Sequence, residues 1–228
     1  KTSIHEIVIG GMHRGRLCLL QNLLEKPAEE IFAELNDKNF FTETDYLIGD
    51  VPYHMGHSTK KYLGHGKLKV SLLPHPSHLL VVAGCALGKT RGKQISQAAR
   101  SSGRENTLCI LMHTDAAFSG QGLVSEILQL SQLNGFSVGG TIHIIVNNQI
   151  GFTTSPPEGR SSRYCTDVAK MIDAPIIHVN ADDTDSVIQM SKLALEWRSN
   201  FQSDIFIDLV CYRRFGHNEL DEPTFTQP

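Results

Sequence analysis

A series of short, almost uninterrupted apolar runs, separated by stretches of helical periodicity, constrains this chain more than any other feature. EIVIG (6–10), LKVSLL (68–73), TLCILMH (107–113), TIHIIVNN (141–148), PIIHVN (175–180) and DIFIDLVCY (204–212) are rich in β-branched and other large apolar residues. They do not alternate apolar with polar. A strand that is apolar at nearly every position has to be covered on both faces, which predicts a parallel sheet with helices on each side, an α/β fold. The intervening stretches agree. Arg14–Leu24 carries Leu17, Leu20 and Leu24 at helical spacing, and a helix near Leu123–Leu133 closes on Asn134-Gly135. Val187, Met190, Ala194, Trp197 and Phe201 recur at three- and four-residue steps behind the polar entry Asp182-Asp183-Thr184-Asp185. The segment from 74 through Arg100 is mixed, and Ser101–Asn106 and Ser155–Ser162 read as surface loops.

With 228 residues the chain can bury a sizeable core, and one domain over 1–228 is the simplest count. A net charge of −3 argues against a general nucleic-acid binder, which needs a basic surface. No apolar run approaches the roughly 20 residues of a membrane helix, so no membrane association is expected. The chain opens on Lys1 in mid-pattern, so targeting cannot be read from it. Five cysteines, with no Cys-x-x-Cys pair and mostly inside apolar runs, fit buried thiols in a reducing compartment better than a disulfide scaffold or zinc site.

Ligands of open α/β sheets bind beyond the carboxyl ends of the strands. Nearly every predicted strand delivers polar or ionisable groups there: Gly-Gly-Met-His-Arg, Pro-His-Pro-Ser-His, His-Thr-Asp-Ala-Ala, Asn-Asn-Gln, Asn-Ala-Asp-Asp and Arg-Arg-Phe-Gly-His-Asn-Glu. Asp115 and Asn148 stand one βαβ unit apart. A carboxylate, an amide oxygen and the main-chain oxygen of Ile150 are hard ligands suited to Mg²⁺, which usually completes its octahedron with water and ligand phosphates. The plainer alternative is that Asp115 and Asn148 only cap loops, as such residues often do at strand ends.

Asp-Ala-Ala-Phe (115–118) followed by Val-Asn-Asn-Gln-Ile-Gly-Phe-Thr-Thr (146–154) resembles the thiamin-diphosphate motif of the 2-oxoglutarate dehydrogenase family, the decarboxylating first component of a 2-oxo acid dehydrogenase complex. His-Arg-Gly-Arg-Leu (13–17), Gly-Asp-Val-Pro-Tyr-His-Met-Gly (49–56), Tyr-Cys-Thr-Asp-Val-Ala-Lys (164–170) and Cys-Tyr-Arg-Arg-Phe-Gly-His-Asn-Glu (211–219) match in order, so the likeness covers essentially the whole chain. It implies a thiamin-diphosphate-binding domain belonging to a longer polypeptide, with the pyrimidine-binding domain elsewhere. Asp115, Asn148 and the Ile150 carbonyl would bind Mg²⁺. Arg14, His54, Ser77, Leu79, Asp115, Ala116, Ala117, Asn148 and Ile150 would hold thiamin diphosphate, and His54, His78, His113 and His217 would face the 2-oxo acid. The remaining histidines, His5, His57, His65, His75, His143 and His178, read as exposed or structurally bonded.

The implied reaction is oxidative decarboxylation of 2-oxoglutarate, the succinyl group passing to a lipoyl-bearing succinyltransferase partner. The full-length protein would be a homodimer, in the mitochondrial matrix of a eukaryote or the cytoplasm of a bacterium. The chain departs from the family pattern at Thr114, where glycine is usual, at His75 and Leu80, where Asn and Glu are usual, and at Ala83-Gly84. Two alternatives follow: the same reaction on 2-oxoadipate, and a non-catalytic relative that scaffolds a complex. Ala83–Thr90 (AGCALGKT) also approaches the nucleotide-binding pattern G-x-x-x-x-G-K-[ST], but Ala83 stands where that loop needs its first glycine.

Overall fold

A computed structural model of the protein describes residues 4–36, 52–64, 66–76, 80–97, 103–218 and 220–228. Among these, seven strands form one sheet: β1 (Glu6–Gly10), β2 (His57–Leu63), β3 (Gly66–Leu72), β4 (Thr107–Thr114), β5 (Thr141–Asn147), β6 (Ile176–Asn180) and β7 (Ile205–Val210). Their order is β2-β3-β1-β4-β5-β7-β6, and every pairing is parallel except β2 with β3. The six apolar runs are the six parallel strands. The seventh, β2, has the sequence HSTKKYL and pairs antiparallel at the sheet's edge. It carries no apolar run because none of its residues is buried on either face, and its lysines suit an exposed edge.

Helices cover both faces, as the continuous apolar runs require. One face carries α1 (Arg16–Cys18), which continues as a π-helical turn through Leu23, then α2 (Ala28–Leu35) and α7 (Thr184–Phe201). Leu20, Leu24 and Ile31 pack there on Ile9, Val70 and Leu72. Farther along, Ala194 packs on Leu108, Ile142, Ile205 and Ile207. The opposite face carries α3 (Val81–Gln97), α4 (Asp115–Gly120), α5 (Gly122–Leu130) and a 3₁₀ helix over Cys165–Ile172. Asp183 caps α7 by accepting from the Ser186 amide at 3.1 Å, the role its acidic entry predicts. No helix among the described residues is long and apolar enough to cross a membrane.

The long helix α3 lies in the segment read as mixed. Gly84, Gly88 and Gly92 dilute its helical signal. They recur every fourth residue on the exposed side, while Val82, Ala83, Ala86, Thr90 and Gln94 are buried. Residues 83–90 are therefore helix from end to end, and the nucleotide-loop alternative falls: there is no loop to cradle a phosphate. Of the cysteines, Cys109 and Cys165 are buried, Cys211 is half-buried, and Cys18 and Cys85 are exposed.

β3 pairs with β1 on one side and β4 on the other, so the order in which strands are laid down reverses beside β1. A crevice opens beyond the carboxyl ends of strands at such a reversal. His13 and Arg14 follow β1 there, and Thr114 and Asp115 end β4.

Candidate active site

Asp115 is the first residue of α4, directly after β4, and Asn148 follows the last residue of β5. The β4–β5 register pairs Thr114 with Val146, which brings the two strand ends level. Helix α4 is pinned by Phe118, wholly buried against His113 (ring centroids 5.0 Å apart) and Phe206 (5.8 Å). A Phe-to-Ala change at such a position costs about 3–5 kcal/mol, which is what holds Asp115 in place. On the other strand Gln149 adopts a left-handed backbone (φ 59°), and Gly151 and Thr154 close a tight turn through two 2.9 Å hydrogen bonds. That turn directs the Ile150 carbonyl back towards Asp115.

Three polar groups converge there. One end of the Asn148 amide stands 3.1 Å from Asp115 Oδ1 and 3.0 Å from the Ile150 carbonyl oxygen. An NH₂ in that position donates to both. With the amide turned over, its oxygen joins the other two as a set of three hard oxygen donors facing one point. That set suits Mg²⁺, whose remaining positions go to water and phosphate. Among the described residues no three His, Cys, Asp or Glu side chains cluster as a metal site. Asp115 is 1% exposed. Burial holds its carboxyl up at about 6, against the downward pull of backbone amides and of Arg160, whose Nη1 is 3.7 Å from Asp115 Oδ2. A buried carboxylate with so little compensation fits a site that receives a cation.

Asn147, one residue earlier, does something else. Its side-chain amide donates to Asp208 Oδ1 at 2.9 Å inside the sheet, and Asp208 Oδ2 meets His178 Nδ1 at 2.7 Å. Gln149 donates from its amide to the Cys211 carbonyl at 2.8 Å. Of the two asparagines and the glutamine that end the strand, only Asn148 points at the metal-type site.

Beside it lies a cavity of about 960 Å³. Arg14, His54, Ala116, Ala117, Asn148, Ile150 and His217 all line it, so seven residues expected at the site share one wall system. Gly151 lines it as well, and a Cβ there would come within 2.9 Å of the Ala116 Cβ, so a larger residue would push the two walls apart. Arg14 donates to the His217 carbonyl from both terminal nitrogens at 3.3 Å, and its Nη2 stands 3.4 Å from His217 Nδ1. Arg213 Nη1 is also 3.4 Å from that nitrogen. Burial, then Arg14 and Arg213, lower the pKa of His217, so its ring stays neutral and receives hydrogen bonds at Nδ1. His217 stacks edge-on against Phe152 (4.5 Å).

Some expectations need correction. His113 does not line the cavity. It is fully buried on the sheet face under α4, with Nε2 3.1 Å from His143 Nδ1, and cannot face a substrate from there. The reason is strand alternation: Thr114 is turned to the cavity, so its neighbour is turned to the core. His75, assigned to exposed or structural histidines, does line the cavity, and its amide donates to the His54 carbonyl at 2.8 Å. Tyr53, Gln121, Phe152 and Arg213 line it too and had no site role from sequence. Tyr53 and Arg213 lie inside motif stretches, Tyr-His-Met and Cys-Tyr-Arg-Arg, which was the available signal. Ser77, His78 and Leu79 lie outside the described residues. A second hollow, about 410 Å³ between α3 and α5, is mostly apolar and opens near Thr141 and Asp204, where β5 and β7 begin. That is the opposite edge of the sheet from the convergent oxygens, so the chemistry belongs to the first cavity.

A family model described as "Dehydrogenase E1 component" matches residues 3–228. The chain belongs to that family. It is 51% identical over 229 residues to "Oxoglutarate dehydrogenase" of Buchnera aphidicola, covering 100% of this chain and 24% of that protein. It is 48% identical over 227 residues to "2-oxoglutarate dehydrogenase, mitochondrial" of Dictyostelium discoideum, covering 99% of this chain and 22% of that one. A second Dictyostelium discoideum protein, "Probable 2-oxoadipate dehydrogenase complex component E1 homolog", is 48% identical over 230 residues, covering 100% and 25%. The chain thus spans about a quarter of the length of the curated relatives it matches.

Proposed function

We propose that residues 1–228 form the diphosphate-binding domain of a longer thiamin-diphosphate-dependent 2-oxo acid dehydrogenase that decarboxylates 2-oxoglutarate and hands the succinyl group to a lipoyl-bearing succinyltransferase. The observation that carries this reading is the convergence of Asp115, Asn148 and the Ile150 carbonyl at the edge of a cavity lined by Arg14, His54 and His217. Bound thiamin diphosphate supplies the electron sink that lets a 2-oxo acid lose CO₂.

This chain's residues then bind, orient and exclude water. Asp115, Asn148 and Ile150 hold the Mg²⁺ that accompanies the diphosphate. Arg14, half-buried at the cavity wall, presents planar donors to anionic oxygens. Ala116, Ala117 and Gly151 leave room for close approach. His217, neutral and flanked by two guanidiniums, accepts at Nδ1 and keeps both cations aimed at the cavity. His54 and, through its place in the same cavity, His75 line the wall where a substrate carboxylate would lie. Homodimer formation and a pyrimidine-binding domain complete the catalytic unit, and the compartment follows the source, mitochondrial or bacterial.

The runner-up is 2-oxoadipate as substrate, favoured by equal identity to Dictyostelium relatives named for each acid. The acids differ by one methylene, worth roughly 1–3 kcal/mol of discrimination in a fitted pocket. The test is turnover by the full-length protein with Mg²⁺, thiamin diphosphate and an artificial electron acceptor, comparing both acids. Faster decarboxylation of 2-oxoglutarate, lost in Asp115→Ala, is the expected result. Preference for 2-oxoadipate would reassign the substrate, and no turnover of either by a folded dimer would leave a scaffolding relative.

A further inference from the structure

Asp115 has two oxygens with different partners. Oδ1 faces the end of the Asn148 amide that also meets the Ile150 carbonyl, and Oδ2 faces Arg160 Nη1 at 3.7 Å. Arg160 is not in any motif singled out for the site. It ends the short turn Pro156–Gly159, where its amide donates to the Pro156 carbonyl at 3.1 Å, and its side chain turns inward. That side chain is 13% exposed, and its Nε is buried without a hydrogen-bond partner. With Asp115, Ala116, Ile150 and Gly151 it lines a small chamber of about 250 Å³ that shares its last three walls with the main cavity.

Resting on the function proposed above, we infer that Arg160 is a positioning residue that holds Asp115 to a single metal-facing oxygen and so biases the site towards Mg²⁺ over Ca²⁺. Mg²⁺ demands six oxygens near 2.0–2.1 Å in a near-ideal octahedron, which a one-oxygen carboxylate serves. Ca²⁺ accepts carboxylates through both oxygens at 2.3–2.6 Å and tolerates irregular geometry. While the guanidinium engages Oδ2, the carboxylate cannot rotate both oxygens onto the ion. Without it, Oδ2 has no cation of the protein's own beside it among the described ion pairs, and two-oxygen contact with a metal becomes its best partner. Partners that orient a metal's ligands typically govern affinity by about 10–100-fold.

The test uses the full-length protein with thiamin diphosphate. Mg²⁺ and Ca²⁺ affinities are measured by calorimetry for wild type, Arg160→Gln and Arg160→Lys. Arg160→Gln is expected to weaken Mg²⁺ by about tenfold while Ca²⁺ affinity holds or rises, and Arg160→Lys, which keeps a cation near Oδ2, to fall between. Parallel loss of both metals in both variants would mean Arg160 merely supports the loop, and unchanged affinities would mean it does not act on Asp115; either overturns the inference. Failure of the wild type to bind either ion would instead sink the cofactor reading on which the inference stands.

Discussion

Asn148 places one end of its amide 3.1 Å from Asp115 Oδ1, although the two residues lie on different strand ends with a complete βαβ unit between them. The neighbouring Asn147 is just as buried, 6% exposed like Asn148, and points to Asp208 instead. Two adjacent, chemically identical side chains therefore serve different ends, one the site and the other the sheet.

That division is testable by paired substitution. Asn147→Leu takes a donor from the buried Asp208 carboxylate, and should cost about 1–3 kcal/mol of stability. Asn148→Leu should cost less stability than Asn147→Leu but abolish the Mg²⁺-dependent part of thiamin-diphosphate binding. Urea titrations and calorimetry on both variants check this, and equal stability losses would refute the division.

Gly151→Ala should act at the same place by a different route. The added methyl would meet the Ala116 Cβ at 2.9 Å, so the turn has to move and carry the Ile150 carbonyl with it. Overpacking of this kind costs about 1–3 kcal/mol. Metal affinity should fall more than the stability loss alone accounts for. Retained affinity in a destabilised variant would show that the carbonyl is not a ligand.

His113 is buried neutral: burial first, then His143, lower its pKa well below the ordinary value. In the unfolded chain it titrates near 6.5. As pH falls below that, the unfolded state gains a proton that the folded state does not, so stability drops with acidity. The contribution of one such group is at most about 1.4 kcal/mol per pH unit. His113→Gln should flatten the acid limb of a stability-versus-pH curve above the range where carboxylates titrate. An unchanged slope would mean the imidazole is charged in the fold.

Thiol chemistry offers a test of the core. Burial pushes the Cys109 thiol up to about 12 and raises that of Cys165 further. Neither forms the reactive thiolate at neutral pH. Peptide-mapped alkylation of the native protein should spare both, and modify them only after denaturant unfolds the sheet. Labelling of either under native conditions would contradict the packing described for β4 and the Cys165–Ile172 helix.

The parallel sheet was legible because burial on both faces imposes a local rule: nearly every residue of such a strand must be apolar. β2 escaped that rule as an edge strand whose lysines meet water, and α3 escaped it because its glycines lie on the exposed side while Val82, Ala83 and Ala86 carry the packing. Asp115, Asn148 and Ile150 were legible as oxygen donors at strand ends, and the resemblance supplied their common purpose. Arg14, His54 and His217 came from matched motifs and do line the cavity.

By itself the sequence determined that the chain makes a covered parallel sheet, that its polar groups gather at one rim, and which family it joins. Those are properties of composition and order along the chain. Tertiary structure alone decided which member of each polar cluster faces the cavity. Strand alternation sent His113 inward and Thr114 outward, the end of β5 left Asn147 on Asp208 and Asn148 at Asp115, and the loop after Thr154 delivered Arg160 to the far oxygen of Asp115. A side chain's direction depends on the backbone angles and neighbours that only the closed fold imposes, and no local pattern in the sequence encodes them.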